Sequence, residues 1–311
     1  MDIHKKFFSK IGFTYLIYAL TAIVMQIILI NLVVVMNADI LNDYNISTIL
    51  LAFCNYVLPF PVLYYLMRKM KSEKLEKNSL SINTFLLYAS ITMTLMWIGN
   101  ITGLAITSLI GVAAQTDISN PVQDLINNSS IWLNLTLISI IGPIFEEVIF
   151  RKLLIDRTIK YGARVSIILS AVLFGFFHGN LSQLFYASLL GGFFAYVYIK
   201  TGRVIYTIAL HILVNLMGSV ASLFVTQSAQ ALMSNAFSPQ DLVIVVVYFL
   251  IVVLALLFGL IGLTMYKKGK FNGSKTQIPL KNPLKTVMIN PGIICFILFH
   301  IGIIIYQLNL I

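Results

Sequence analysis

An all-α, polytopic bundle of membrane-spanning helices is the fold class this sequence predicts, and three observations predict it. Of the 311 residues, 59% are hydrophobic and only 10% are charged, whereas soluble domains carry about 25% charged residues. Nine apolar runs fall at about 11–36, 46–67, 84–111, 131–150, 165–179, 181–199, 204–225, 242–265 and 287–309. All but the short fifth are near the length that crosses hydrocarbon, which gives about nine spans. The 21 Lys and Arg residues lie at Lys5/Lys6/Lys10, Arg68 to Lys77, Arg151 to Arg164, Lys200/Arg203 and Lys267 to Lys285. The alternate connections hold none, and that asymmetry places the N-terminus in the cytoplasm and the C-terminus outside a cell membrane.

The same distribution explains the net charge of +10. It reflects topology and attraction to anionic lipid, not a nucleic-acid face. The first run, about 26 residues after Lys10, is too long for the apolar part of a signal peptide and reads as a retained helix. Cys54 and Cys295 sit in separate runs without metal-like spacing and read as free thiols packed as small apolar groups. Three regions follow: N-terminal spans one to three over 1–130, a core of spans four to seven over 131–225, and spans eight and nine over 226–311. The last contains a basic cytoplasmic loop, 266–286, of linker-like composition. Internal repeats are not evident, which weighs against an inverted-repeat transporter. Spans five and six are joined almost without a loop at His178-Gly179-Asn180-Leu181, so they are expected to be antiparallel neighbours.

Ionisable groups inside the runs are few: Glu146, Glu147, Arg151, His178, His211 and His300. One carboxylate at bilayer depth costs roughly 2.5–3.5 kcal/mol on insertion scales, so two in succession mark a function by default. Residues 144–160 lack Gly and Pro, so the fourth helix is expected to run to Lys160 and end at Tyr161-Gly162. Counting from the basic ends, Glu146 and His178 lie roughly 20 Å deep and His211 about 12 Å deep, compatible with one cavity between spans four, five and seven.

Helical spacing divides the two glutamates. Glu147 and Arg151 are four apart and share a face, so Glu147 reads as a structural ion pair. Glu146 points about 100° away and is left as the candidate general base. A plainer reading has both glutamates merely pairing with Arg151. Pro143 removes a backbone donor and is expected to free the Ser139 carbonyl and kink the helix. Gly175 and Gly179 form a small-residue face for close helix approach, and Gly99 to Gly103 reads as a second packing seam. His211 and Asn215 share one face of span seven; ordinary interhelical hydrogen bonding is the alternative to a role in chemistry. His300 stands alone and reads as a packed or interfacial histidine.

Glu146-Glu147-x-x-x-Arg151, Phe174-x-x-x-His178 and His211-x-x-x-Asn215, in that order on separate helices, resemble the CPBP family. These are the CAAX-protease and bacteriocin-processing (Abi) membrane proteins, and the Lys200-Thr201-Gly202-Arg203 turn resembles the family too. The resemblance covers about 131–220. It implies an intramembrane endopeptidase in which Glu146 and His178 activate water and His211 and Asn215 stabilise the oxyanion, as donors aimed at developing charge do. Glu147 and Arg151 would hold the helix in register. No cofactor is favoured: asparagine is a poor zinc ligand, and a His-Glu-x-x-His pair is absent. Zinc held by Glu146, His178 and His211 is the alternative. The implied partners are membrane lipid and a peptide or membrane-protein substrate, with pheromone or bacteriocin processing, or self-immunity, as roles. A non-catalytic scaffold serving a membrane sensor or regulator, and a proton-coupled transporter, are the competing readings.

Overall fold

The computed structural model describes residues 2–116, 118, 120–264 and 277–308, and every regular element among them is helical. In chain order these are α1 (Ile3–Asn37), α2 (Tyr44–Arg68), α3 (Ile82–Ala114), the short α4 (Pro121–Asn128), α5 (Ile131–Tyr161), α6 (Ala163–Phe177), α7 (Leu181–Thr201), α8 (Val204–Met233), α9 (Pro239–Thr264), the short α10 (Pro283–Met288) and α11 (Pro291–Gln307). The first eight apolar runs lie on these helices, and the ninth is divided between α10 and α11. Seven helices are long and apolar enough to cross a membrane among the described residues: α1, α2, α3, α5, α7, α8 and α9. The runs expected as spans five and nine are shorter helices, α6 with 15 residues and α11 with 17. The chain is a multi-pass membrane protein. Most of the linker-like loop expected at 266–286 lies outside the described residues.

α5 ends where the sequence placed its stop, at Gly162, whose φ of 102° admits glycine and disfavours other residues. α6 then runs only roughly 22 Å before the turn at Gly179, φ 59°. Gly179 thus serves the turn, and a Cβ there would also press on Ile303 of α11. Gly175 does serve packing, since a Cβ there would run into Ser188 Oγ of α7. Gly99 and Gly103 are the seam expected of them: added Cβ atoms would strike the backbone of Tyr186 and the Ser182 carbonyl, so α3 and α7 touch main chain to main chain. Gly12 of α1 meets Gly292 of α11 in the same way, and Ser9 Oγ accepts a hydrogen bond from Gly292 N at 3.0 Å.

Connections sort by charge. At one end, basic segments pair with one another: Asn78 N donates to Thr201 O at 2.8 Å and Ile278 N to Lys160 O at 2.8 Å. At the other, segments without Lys or Arg meet: Ser130 N donates to Asn45 Oδ1 at 2.7 Å, and Asn180 Nδ2 reaches Asn120 Oδ1 at 3.4 Å. The short α6 turns back below this second end, and the segment entering α4 reaches its turn.

α5 is not uniformly α-helical. Residues Asn134–Ile141 and Val148–Leu153 are wound π-helically, and Gly142 N donates to Leu137 O, five residues back. In that register the next donor would be residue 143 to Ile138, and proline has none. The orphaned carbonyl is thus Ile138 and not Ser139, because the wider winding shifts the missing bond by one residue. Asn215 Nδ2 of α8 fills the vacancy at 2.8 Å.

Candidate active site

Glu146 and Glu147 sit on the α-helical turn Gly142–Glu147 between the two π-wound stretches of α5. Their side chains diverge as the spacing predicts. Glu147 is fully buried, accepts Arg151 Nη2 at 3.1 Å through Oε1, and lies 3.0 Å from Arg151 Nε through Oε2. The second contact is an ion contact without hydrogen-bond alignment. Arg151, also fully buried, donates from Nη1 to Ser170 Oγ at 3.1 Å and lies 4.5 Å from the centre of the Phe174 ring. Glu147 has a further partner: His211 Nδ1 donates to its Oε1 at 3.0 Å. It is both half of an ion pair and the group that orients His211.

Glu146 meets different neighbours. Its Oε1 accepts the Tyr56 hydroxyl at 2.6 Å. Its Oε2 is buried, makes no hydrogen bond, and lies 3.7 Å from His211 Nε2, too far for a direct one. His178 follows the last turn of α6 and donates from Nδ1 to the Phe174 carbonyl at 2.8 Å. That bond fixes the neutral ring's proton on Nδ1 and leaves Nε2 with its lone pair. Phe174 packs edge-on against both imidazoles, with ring centres 4.8 Å from His178 and 5.7 Å from His211.

Glu146, His178, His211 and Asn215 all line one cavity of about 870 Å³ inside the bundle. Glu147 and Arg151 do not line it; they stand behind its wall. His300, expected to stand alone, also lines it and repeats the His178 pattern, with Nδ1 donating to Phe296 O at 2.8 Å. Among the described residues, no three His, Cys, Asp or Glu side chains are grouped so as to hold a metal ion. Glu146, His178 and His211, the alternative zinc set, line the same cavity, with His211 Nδ1 given to Glu147 and its Nε2 3.7 Å from Glu146 Oε2.

Sequence reasoning missed Tyr56, Trp97 and Gln307. Trp97 Nε1 and Gln307 Oε1 are buried, unbonded atoms of residues that line the cavity. A search confined to ionisable groups passes over them. The signal that would have found them is uncharged polar residues within apolar runs, such as Asn55-Tyr56.

Fold and site together define a polytopic helical membrane protein that gathers the Glu146 carboxylate, the imidazoles of His178, His211 and His300, and the Asn215 amide around one cavity. Residues 128–217 match the family described as "Type II CAAX prenyl endopeptidase Rce1-like", so the resemblance to the CPBP family stands over that segment. The chain is also 31% identical over 109 residues to the "Putative membrane peptidase YdiL" of Bacillus subtilis (strain 168), across 34% of this chain and 43% of that protein. The match thus takes in less than half of that relative. No solved structure matches the chain.

Proposed function

We propose that this protein is an intramembrane endopeptidase that hydrolyses peptide bonds of a membrane-associated peptide or protein. The observation that carries the proposal is the arrangement in the cavity wall: Glu146 Oε2, buried and unbonded, with His178 and His211 on the neighbouring helices. A water held between Glu146 Oε2 and His178 Nε2 gives up a proton as it attacks the substrate carbonyl. Tyr56 holds the other Glu146 oxygen in place. His211 in its protonated form carries its second N–H at Nε2, and Asn215 keeps one amide N–H beyond the one given to Ile138. Both are donors for the oxyanion. The proton taken from water passes to the leaving amine, and the peptide bond breaks. The two similar sequences support this reading through the words "endopeptidase" and "peptidase" in their descriptions.

No step is routed through a metal. In this reading the basic ends, and with them the N-terminus, face the cytoplasm, as the positive-inside rule has it. Maturation of a secreted peptide, or self-protection against one, is the kind of role such a peptidase serves.

The test is cleavage of candidate membrane peptides by the detergent-purified protein, followed by mass spectrometry. Glu146→Gln and His178→Ala abolish cleavage under this reading, and a chelator leaves it intact. Undiminished cleavage by Glu146→Gln would remove the site from consideration. Chelator inhibition reversed by zinc would remove the metal-free mechanism.

A further inference from the structure

We infer that Trp97 and Gln307 form a recognition subsite for the main chain of an uncharged, extended peptide segment. The inference rests on the peptidase reading and names what that site would accept. The indole Nε1 of Trp97 is a donor and the Gln307 Oε1 an acceptor, and both are buried without a hydrogen-bond partner. A buried polar atom left unpaired costs free energy, so each is in want of a complementary group. Both residues line the cavity that holds Glu146 and His178. A polypeptide backbone offers what they lack: a carbonyl for the indole N–H and an amide N–H for the Gln307 oxygen.

Their places in the fold fit that use. Trp97 lies on α3, two residues before Gly99, which touches Tyr186 of α7. Gln307 lies on α11, one turn beyond Ile303, which faces Gly179 in the α6–α7 turn. The two therefore flank the hairpin that carries His178, one on the α7 side and the other on the α6 side.

The rest of the lining sets the substrate's chemistry. Among the described residues, no Lys, Arg or Asp lines the cavity and Glu146 is its one carboxylate; Asn100, Gln123 and Gln183 add uncharged hydrogen-bonding groups. A charged substrate side chain held away from Glu146 and the histidines would be desolvated there without a partner. Trp97 and Gln307 also lie outside residues 128–217. The matched segment supplies the reacting groups, and the flanking helices supply the recognition.

The test is calorimetric binding to the full-length Glu146→Gln protein in detergent. The probes are acetylated, amidated octapeptides of Ala, Leu and Ser, and the same peptides with one central Lys or Asp. Neutral peptides bind and the charged ones bind at least about tenfold more weakly. Trp97→Phe and Gln307→Leu each weaken binding roughly fivefold, the loss of one hydrogen bond. Replacing peptide N–H groups one at a time by ester oxygen identifies one position that weakens binding to the parent but not to Gln307→Leu. A merely structural Gln307 would not move that position. Absence of binding, equal binding of charged peptides, or an ester scan unaltered by Gln307→Leu would each overturn the inference. The peptidase reading fails separately, if cleavage survives Glu146→Gln while this binding pattern holds.

Discussion

Replacing Arg151 by Met should be among the most damaging single changes in this protein, and the structure says by how much. Arg151 and Glu147 are both fully buried, so the substitution leaves a carboxylate inside the bundle without the guanidinium that faced it. Removing one partner of a buried ion pair costs about 3–5 kcal/mol. The lost bond to Ser170 and the lost contact with the Phe174 ring add about 1–2 kcal/mol. The single variant is therefore expected to lose about 4–7 kcal/mol by the same sum. Glu147→Gln in the Arg151→Met background removes the stranded charge, while the amide oxygen can still accept His211 Nδ1. The double variant should recover most of the loss, since neutral replacements of buried pairs are often close to neutral in stability. Unfolding in mixed micelles with increasing denaturing detergent, run on the wild type, both single variants and the double, measures the coupling directly. If Arg151→Met alone falls within about 1 kcal/mol of wild type, or the double is no more stable than the single, the pair does not hold this helix as argued.

Three further outcomes follow from the same geometry. Asn215→Leu strands the Ile138 carbonyl beside Pro143 and should cost about 1–3 kcal/mol of stability in the same unfolding assay, in addition to any loss of cleavage. Wild-type stability in that variant would mean the π-wound turn satisfies itself. Gly99→Leu puts a side chain where the Tyr186 backbone lies and should destabilise by at least about 2 kcal/mol, with α3 and α7 pried apart as seen by cysteine crosslinking across the seam. Tyr56→Phe keeps the ring's stacking on Phe145 and removes only the hydroxyl that holds Glu146; cleavage rate should fall roughly tenfold with the folded fraction unchanged. An unaltered rate would leave Tyr56 as packing.

The helices and their order were legible because apolar runs and basic punctuation are one-dimensional signals, and the bilayer enforces both. The pairing of Glu147 with Arg151 was legible from their separation of four residues, although the stretch between them is π-wound. Other parts were hidden by what periodicity assumes. An unbroken α-helix over 131–161 makes Ser139 the orphaned carbonyl; two π-wound stretches move the gap to Ile138, and no local pattern announces them. Tyr56 reaches Glu146 from 90 residues away, a pairing that only the folded bundle creates. Glu147 was read through its nearest cation and so appeared fully accounted for, although His211 of another helix shares its oxygen. The lone histidine at 300 reached the cavity because α11 packs beside α6, which its spacing in the sequence gives no means of knowing.

α5 and α8 are fastened to each other at three successive levels: Ser139 Oγ to Ser219 Oγ at 2.8 Å, the Ile138 carbonyl to Asn215, and Glu147 to His211. The Ile138 carbonyl and the His211 N–H would lose their partners in hydrocarbon if the helices parted. These two helices therefore behave as one slab during any breathing of the bundle, and the distance between Glu146 and His211 is the last quantity that motion would alter.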